Sequence, residues 1–351
     1  MTAPRAFSEL RLVNGSTGDP ALFVDDPGRD NALLFDAGEN AAIDPARLGD
    51  LTAVFLTHHH VDHFIGFDRI VRANLDRDKA LHVFGPDGTI RKVYDRIKSY
   101  EYQYFPFQKV VLEVHDVLPG RLRAARLECA QKFPRPKVVE SDWPGPVVFE
   151  ADGLAVEAVH VDHTVPCLAY ALVAKPGVYP DRERLAAGPL RPGAWVDLAL
   201  TLLRDGAPDE TPVEVSASGE TRPLGDLKAR YFVNAPGSRV AYVTDTAWGE
   251  SVRPGLVRLA RGARRLYCDS FYSREQAAQA EKHRHMTATQ AAEFAREADV
   301  EELVLIHFAT RYAGRYEALV EEARAVFPRT TAEIPPAPPK NSPGGTNRSC
   351  S

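Results

Sequence analysis

Four side chains that can bind a metal ion lie within six residues of one another early in the chain. His58, His60, Asp62 and His63 form an HxHxDH pattern directly after the apolar run Ala53 to Leu56. That run is typical of a buried strand, so the pattern belongs to a strand-to-helix turn, where alternate residues can face the same way. We expect His58 and His60 to face one metal ion, and Asp62 and His63 a second. Imidazole and carboxylate ligands suit Zn²⁺, with Mn²⁺ as the alternative.

Three later residues could complete such a two-metal site. His163 follows the predicted strand Leu154 to Val159, Asp245 ends the strand Val240 to Thr244, and His307 ends the strand Leu303 to Ile306. A single polar residue after a strand is more often a cap or a turn former. Residues just past strand ends gather along one rim of an open sheet, however, and that is where binding sites usually form. All three positions together therefore favour ligands over caps.

The elements that must position these residues are mostly strands, with helices between them. Besides those already named, strands are predicted at 32–35, 81–84, 110–114 and 168–174. A Thr287-x-x-Gln290 capping box predicts a helix over Ala288 to Ala298, and an apolar stripe predicts another over Tyr316 to Phe327. The stretch of about 175–239 is rich in Pro and Gly and is interpreted as an insertion in a domain spanning 1–330. Residues 331–351, with five prolines, are predicted to be a disordered tail.

Composition and charge exclude several classes of protein. The chain has 351 residues, 44% hydrophobic and 26% charged, which is typical of a globular protein with a sizeable core. It has no apolar run of roughly 18 residues, its first five residues lack the charged segment and following apolar stretch that are typical of a signal peptide, and its four cysteines lack CxxC spacing. We therefore expect no membrane partner and a reducing, cytoplasmic location. The net charge of −5 means that nucleic-acid binding would need a local basic patch, such as the stretch from Arg69 to Lys137.

Three longer segments carry a resemblance to known proteins. They are His163-Thr164-Val165-Pro166-Cys167-Leu168-Ala169-Tyr170, then His285-Met286-Thr287 with Gln290-Ala291-Ala292, and His307-Phe308-Ala309-Thr310-Arg311-Tyr312. With the HxHxDH pattern and the acidic turn in Leu33 to Glu39, they make the chain similar to the metallo-β-lactamase superfamily and, within it, to the ribonuclease Z (tRNA 3′-endonuclease) family. The resemblance extends roughly from Leu10 to Phe327.

The resemblance implies an α/β fold, an αββα four-layer sandwich with the metals at one edge and a short insertion like the exosite that binds tRNA in bacterial members. It implies two divalent ions, one held by His58, His60 and His163, the other by Asp62, His63 and His307, with Asp245 bridging both. It also implies a homodimer, and a substrate contact from the Gly188-Pro189 turn of the insertion. Arg311 and Tyr312 are interpreted either as simple packing residues or, because they lie just past His307, as substrate contacts.

One segment departs from the family pattern. Where the family has His-Glu-Ala-Thr-Phe, this chain has Cys268-Asp269-Ser270-Phe271-Tyr272, so the carboxylate is one methylene shorter and a histidine is replaced.

Two ions about 3.5–4 Å apart can activate a water and polarise a phosphoryl oxygen, with Asp62 among the catalytic residues. The expelled alkoxide needs a proton. We predict that His285 donates it while Asp269 holds the other ring nitrogen; without the resemblance, His285 would be interpreted as an exposed residue near a helix start.

These observations favour a metal-dependent phosphodiesterase that removes the 3′ trailer of precursor tRNA. One alternative is a related metallo-hydrolase acting on a small ester or cyclic phosphodiester, which the acidic net charge and the shortened carboxylate favour. A second alternative is a catalytically silent RNA-binding or dimerising subunit. The presence of all seven predicted ligands argues against the silent subunit, because a binding module has no physical need for a two-metal cluster.

Overall fold

Two β-sheets stack on each other, and helices cover their outer faces. A computed structural model describes residues 9–25, 32–102, 108–151 and 153–334. Within these residues the first sheet has eight strands in chain order: β1 (Glu9–Leu12), β2 (Leu22–Asp25), β3 (Ala32–Phe35), β4 (Leu51–Phe55), β5 (Ala80–Pro86), β6 (Val111–Leu118), β7 (Arg121–Glu128) and β8 (Val139–Asp142).

The second sheet has seven strands and is built from the other half of the chain. Its spatial order is β19 (Thr330–Thr331), β18 (Leu303–Ile306), β17 (Arg265–Asp269), β16 (Ser238–Val243), β11 (Cys167–Ala174), β10 (Leu154–Val161) and β9 (Val147–Ala151). Strands β16, β17, β18 and β19 run parallel to one another, whereas β9, β10, β11 and β16 pair antiparallel along the rest of the sheet.

Alternation along the central strands sends side chains into two separate cores. In β3 and β4, Phe35 and Phe55 point between the sheets, whereas Leu34 and Val54 point toward the outer helices. Because successive strand residues face opposite sides, a continuous apolar run is what a strand buried on both faces requires. The ring centroids of Phe35 and Phe55 lie 5.0 Å apart, and Tyr170 of the second sheet lies 5.6 Å from Phe55. The αββα sandwich is confirmed.

The outer layers are short amphipathic helices. Those on the side of the first sheet are α1 (Pro45–Gly49), α2 (Val61–Phe64), α3 (Phe67–Asn74) and α4 (Thr89–Lys98). The insertion, described below, contains α5 (Arg182–Ala187), α6 (Ala194–Arg204) and α7 (Leu224–Tyr231). The second sheet is followed by α8 (Arg253–Ala260), α9 (Ala277–His283), α10 (Ala288–Glu297) and α11 (Tyr316–Arg324), of which α8, α10 and α11 pack on it.

The predicted insertion lies between β11 and β16 and has a hydrophobic core of its own. Strands β12 (Gly177–Pro180) and β15 (Phe232–Ala235) pair antiparallel and extend the β11–β16 ladder outward. A second small pair, β13 (Pro212–Glu214) and β14 (Thr221–Pro223), lies farther along. Trp195, Leu200, Leu227 and Tyr231 are among the buried residues that α5 to α7 pack together. The insertion is therefore a small folded subdomain, joined to the sandwich by two strands.

The predicted strands and the capping box at Thr287 are confirmed, with shifted boundaries. The helix predicted over Tyr316 to Phe327 ends at Arg324. Pro328 disfavours helical backbone at Phe327, so the helix cannot reach the predicted end. Thr331, placed in the predicted tail, pairs in β19, and residues 335–351 lie outside the described residues. Among the described residues, no helix is long and apolar enough to span a membrane.

One histidine pair lies half-buried, away from the strand ends. His115 of β6 lies flat against Phe84, with ring centroids 4.3 Å apart, and faces His82 at 5.9 Å. Neither ring nitrogen of His115 has a hydrogen-bond partner among the described residues. Burial, followed by the neighbouring His82, lowers the pKa of His115 to about 4.

We expect this pair to make the fold sensitive to acid. The unfolded chain binds a proton on His115 near pH 6.5, whereas the folded chain does not until about pH 4. The free energy of unfolding is therefore highest above pH 6.5, and His115 removes about 2 kcal/mol of it by pH 5. In His115→Phe, urea titrations at pH 7.5 and 5 should show a smaller loss of stability than in the wild type. Equal losses in both proteins would show that His115 does not titrate in this way.

Candidate metal centre

The HxHxDH segment leaves β4 and enters α2 at the edge where parallel strands end. Thr57 is held by Asp36 at the end of β3, which accepts hydrogen bonds from its backbone N–H at 2.7 Å and from its hydroxyl at 2.9 Å. The junction between α2 and α3 is Gly66, where an added Cβ would lie 2.1 Å from the Gly38 carbonyl oxygen. The close approach of these two loops therefore requires glycine, and it fixes the position of α2.

The other predicted ligands come from loops at the ends of β10, β16 and β18. His163 follows β10, and its Nδ1 lies 3.1 Å from the Arg284 carbonyl oxygen. Asp245 and His307 have φ of 54° and 62°, and Asp36 has φ of 57°. Left-handed backbone is unfavourable for residues with a Cβ and persists where the surrounding structure enforces it, often at functional sites. The structure thus brings all seven predicted ligands to one rim.

Three imidazoles form the first cluster. His58 Nε2 lies 2.9 Å from His60 Nδ1, and His163 Nε2 lies 3.4 Å from the same His60 nitrogen. Burial, followed by the nearby His63, lowers the pKa of His58 to about 2. The ring of His58 is therefore neutral, which is the form that binds a metal ion.

Asp62, His63 and His307 form the second cluster. Asp62 Oδ2 lies 3.5 Å from His63 Nε2 and 3.3 Å from His307 Nε2. His63 Nδ1 lies 2.8 Å from Asp36 Oδ2, which also accepts a hydrogen bond from the Tyr242 hydroxyl. A carboxylate on the far nitrogen orients a ligating imidazole and raises its basicity.

Asp245 lies between the two clusters. Its Oδ2 is 3.1 Å from His63 Nε2 and 3.4 Å from His307 Nδ1, while its Oδ1 is 4.0 Å from His163 Nε2. The carboxylate is almost fully buried, at 2% exposure for the residue. Each oxygen therefore faces a different group of imidazoles, as a bridging ligand must.

The carboxylates that surround His63 and His307 favour positive charge at this position. Burial lowers the pKa of His63, but the Asp36 and Asp245 carboxylates outweigh it and raise that pKa to about 10. Burial likewise disfavours charge on His307, and Asp245 reverses the effect and raises its pKa. Nevertheless His63 Nε2 and His307 Nδ1 are buried with no hydrogen bond of acceptable geometry among the described residues. Nitrogens that face carboxylates without bonding them fit a bound divalent ion, so the residues present suit two such ions.

His285 and Asp269 meet beside this centre. His285 Nδ1 lies 3.0 Å from Asp269 Oδ2, which also accepts the backbone N–H of Met286 at 3.1 Å. The shortened side chain therefore still reaches the histidine. Burial lowers the pKa of His285, but the Asp269 and Asp245 carboxylates together outweigh it and raise that pKa. Cys268, which replaces the family's histidine, is buried with its Sγ 3.7 Å from the sulfur of Met286.

The predicted substrate contacts are placed unequally. Arg311 lies at the rim, with its guanidinium carbon 5.0 Å from the centre of the Tyr272 ring. Tyr312 is 5% exposed, and its hydroxyl bonds the backbone N–H of Ser273 and the side chain of Gln276. Tyr312 therefore packs against the loop of residues 273–276, which agrees with the packing interpretation. Gly188 and Pro189 lie in the insertion, where a Cβ on Gly188 would come 2.5 Å from the Tyr231 ring.

Sequence reasoning missed several positioning groups. In the sequence, Asp36 stands out only as part of an acidic turn. Its hydrogen bonds to Thr57 and His63 depend on the pairing of β3 with β4. Tyr242 carries no signal in the sequence beyond its place in a strand. His59 lies inside the histidine run but points away from the centre, with Nε2 2.9 Å from the Thr89 hydroxyl.

The basic stretch of residues 69–137 is also less available than its composition suggests. Arg121 and Arg123 pair with Glu140, Arg126 pairs with Glu113 and Glu128, and Arg96 pairs with Asp68. These carboxylates neutralise much of the local positive charge, so the field that would attract RNA there is weaker than the count of basic residues predicts.

Comparison with known proteins agrees with this geometry. A family model described as "Beta-lactamase superfamily domain" matches residues 23–179 and 160–308. The ribonuclease Z of Deinococcus radiodurans is 32% identical over 90% of this chain and 95% of its own. Among solved structures, the metallo-β-lactamase fold protein YhfI from Bacillus subtilis aligns with a TM-score of 0.52 at 16% identity, covering 91% and 93% of the two chains. Human tRNase Z, short form, aligns with 0.51 at 17% identity, covering 89% and 90%.

The contact between Asp36 and His63 predicts that metal affinity depends on the charge of Asp36. Asp36→Asn keeps the shape but removes the charge that orients His63, and we expect metal affinity to fall about 10–100-fold. Metal content after dialysis against graded chelator measures this. Asp116→Asn is the matched control, because Asp116 is a buried carboxylate that accepts the Ile90 N–H far along the chain from the ligands. Equal metal content in Asp36→Asn and the wild type would contradict the role given to Asp36.

Proposed function

Because the chain belongs to the ribonuclease Z family of the β-lactamase superfamily, we propose that it is a metal-dependent endoribonuclease that removes the 3′ trailer of precursor tRNA. The observation that carries the proposal is the placement of the Asp245 carboxylate between two groups of imidazoles, with one oxygen toward each. A phosphodiester bond needs both an activated water and a stabilised phosphoryl oxygen, and a two-ion centre supplies both.

In this proposal His58, His60 and His163 would hold one divalent ion, Asp62, His63 and His307 would hold the second, and Asp245 would be a ligand of both. Five imidazoles and two carboxylates are a donor set that favours zinc, with manganese as the alternative. When bound, such ions would activate a water and polarise the phosphate under attack.

The residues of the chain then handle the protons. Asp62 is the most exposed carboxylate of the centre, with 36% of its side chain accessible, so it can accept the proton that the attacking water releases. His285 has its Nδ1 committed to Asp269, which leaves Nε2 to donate to the departing ribose oxygen. Burial lowers the pKa of His285, but the Asp269 and Asp245 carboxylates outweigh it and keep the ring protonated to higher pH, as an acid requires.

Arg311 is the substrate contact that geometry best supports. Its guanidinium lies over Tyr272 and near Phe271, beside the histidines, where it can pair with a phosphate next to the scissile one. The insertion with Gly188 and Pro189 is proposed to hold a part of the tRNA farther from the cut.

The family resemblance further supports a homodimer, which sedimentation velocity of the purified protein can test. A cytoplasmic location, as for other tRNA processing, completes the proposal.

The first test compares two histidines of one run. His63→Ala removes a proposed ligand, so we expect loss of one metal ion and at least about a thousandfold slower cleavage of precursor tRNA, as chelator should also cause. His59→Gln is the control, because His59 bonds Thr89 and faces away from the centre. Cleavage of a labelled precursor tRNA and metal content are measured for both. Wild-type turnover in His63→Ala would discard the second metal site.

The second test isolates the acid. His285→Ala should slow cleavage of precursor tRNA by about 100-fold or more, because the ribose alkoxide must be protonated as it leaves. Hydrolysis of bis(p-nitrophenyl) phosphate, whose leaving group is stable as an anion, should change little, and metal content should stay intact. Equal losses on both substrates would show that His285 serves the metal centre and not the leaving group.

The same assays decide between the alternatives. Hydrolysis of bis(p-nitrophenyl) phosphate without tRNA cleavage would favour a hydrolase of small phosphodiesters, an outcome that the net charge of −5 and the paired arginines of residues 69–137 make worth testing. Protein that binds RNA without metal and without turnover would favour the silent subunit.

A further inference from the structure

Phe271 lies face to face with the imidazole of His285. The two ring centroids are 4.4 Å apart and the planes differ by 18°, which is a stacked arrangement. Phe271 follows Asp269 by two residues at the end of β17, so one short segment supplies both the carboxylate and the aromatic face that contact His285. The contact is outside the set of residues that the resemblance implied.

The stack constrains a motion that the hydrogen bond leaves free. Asp269 holds one edge of the ring, through Nδ1 at 3.0 Å. A single bond at that edge fixes a distance, but it lets the ring tilt about the line that joins the two groups. A flat aromatic neighbour opposes the tilt, because tilting would separate one side of the ring from its contact and press the other into it. Together the two contacts fix the direction of Nε2.

Phe271 is itself rigidly held. Its backbone N–H donates to Asp269 Oδ1 at 3.2 Å, and its ring lies 5.2 Å from Tyr272 and 5.1 Å from His307. It is partly buried against the core between the second sheet and its helices. The guanidinium of Arg311 lies 6.0 Å from its centre. A side chain fixed on several sides can serve as a platform for another.

We propose that Phe271 is a positioning residue for proton transfer by His285, an inference that rests on the proposed role of His285 as the acid. As the water oxygen bonds to phosphorus and gives its proton to Asp62, the bond between phosphorus and the ribose oxygen breaks. His285 Nε2 gives its proton to that oxygen. Phe271 holds the ring so that Nε2 meets the oxygen at the moment of cleavage, which small displacements would impair.

Phe271→Leu tests the proposal, because it keeps an apolar side chain and removes the flat face. We expect kcat for cleavage of precursor tRNA, and of an unactivated RNA dinucleotide, to fall about tenfold or more with KM unchanged. We expect hydrolysis of bis(p-nitrophenyl) phosphate to change less than about twofold, with full metal content. Phe271→Tyr, which keeps the face, should retain wild-type kcat on all three substrates. In the His285→Ala background, Phe271→Leu should cause no further loss on RNA.

Tyr316→Leu is the matched control for lost packing, because Tyr316 is a partly buried aromatic residue of the same core that stacks on Phe308. It should change the ratio of the RNA and p-nitrophenyl rates little. Equal losses on RNA and p-nitrophenyl substrates in Phe271→Leu would make Phe271 structural, and a rise in KM alone would make it a substrate contact; either overturns the proposal. If the wild type cuts the dinucleotide but not tRNA, the proposed function fails. The ratio of the dinucleotide and p-nitrophenyl rates in Phe271→Leu then still tests the role of Phe271. If it cuts neither RNA, both are wrong.

Discussion

The attraction between one buried carboxylate, Asp245, and the imidazoles on both sides of it is the interaction on which the rest of the centre depends. Burying a charge without compensation is costly, and Asp245 is compensated by His63 and His307 on one side and faces His163 on the other. Behind these imidazoles, Asp36 repeats the arrangement on His63. The fold thus concentrates negative charge at a dry edge, where only cations or protons can balance it.

This arrangement explains why the backbone is unfavourable where the ligands lie. Asp36, Asp245 and His307 each end a strand in left-handed conformation, at a cost of order 1–3 kcal/mol apiece. The sharp turn lets a side chain at the end of a strand point back over the rim. The sandwich can tolerate the cost because its sheets are tied together near this edge, where the Tyr170 hydroxyl donates to the Leu56 carbonyl at 2.8 Å.

Much of the fold and the centre could be predicted because their signals are local. The HxHxDH pattern, the polar residues after strands and the capping box at Thr287 each occupy a few neighbouring positions. The hold of Asp36 on His63, the stack of Phe271 on His285 and the burial of Tyr312 depend on which distant segments meet. No local sequence pattern predicts those contacts between distant segments. The paired arginines of β7 show the same limit, since counting charges ignores which carboxylates stand opposite them.

The insertion has its own core and joins the sandwich by extending a single strand pair. Its interior therefore shares few side chains with the catalytic layers, and changes in its surface or length need not disturb the ligands. With substrate recognition proposed for the insertion and catalysis for the rim, the two are separable units of inheritance in this architecture. One insertion can replace another on the same sandwich, so that a new substrate is acquired without rebuilding the metal centre.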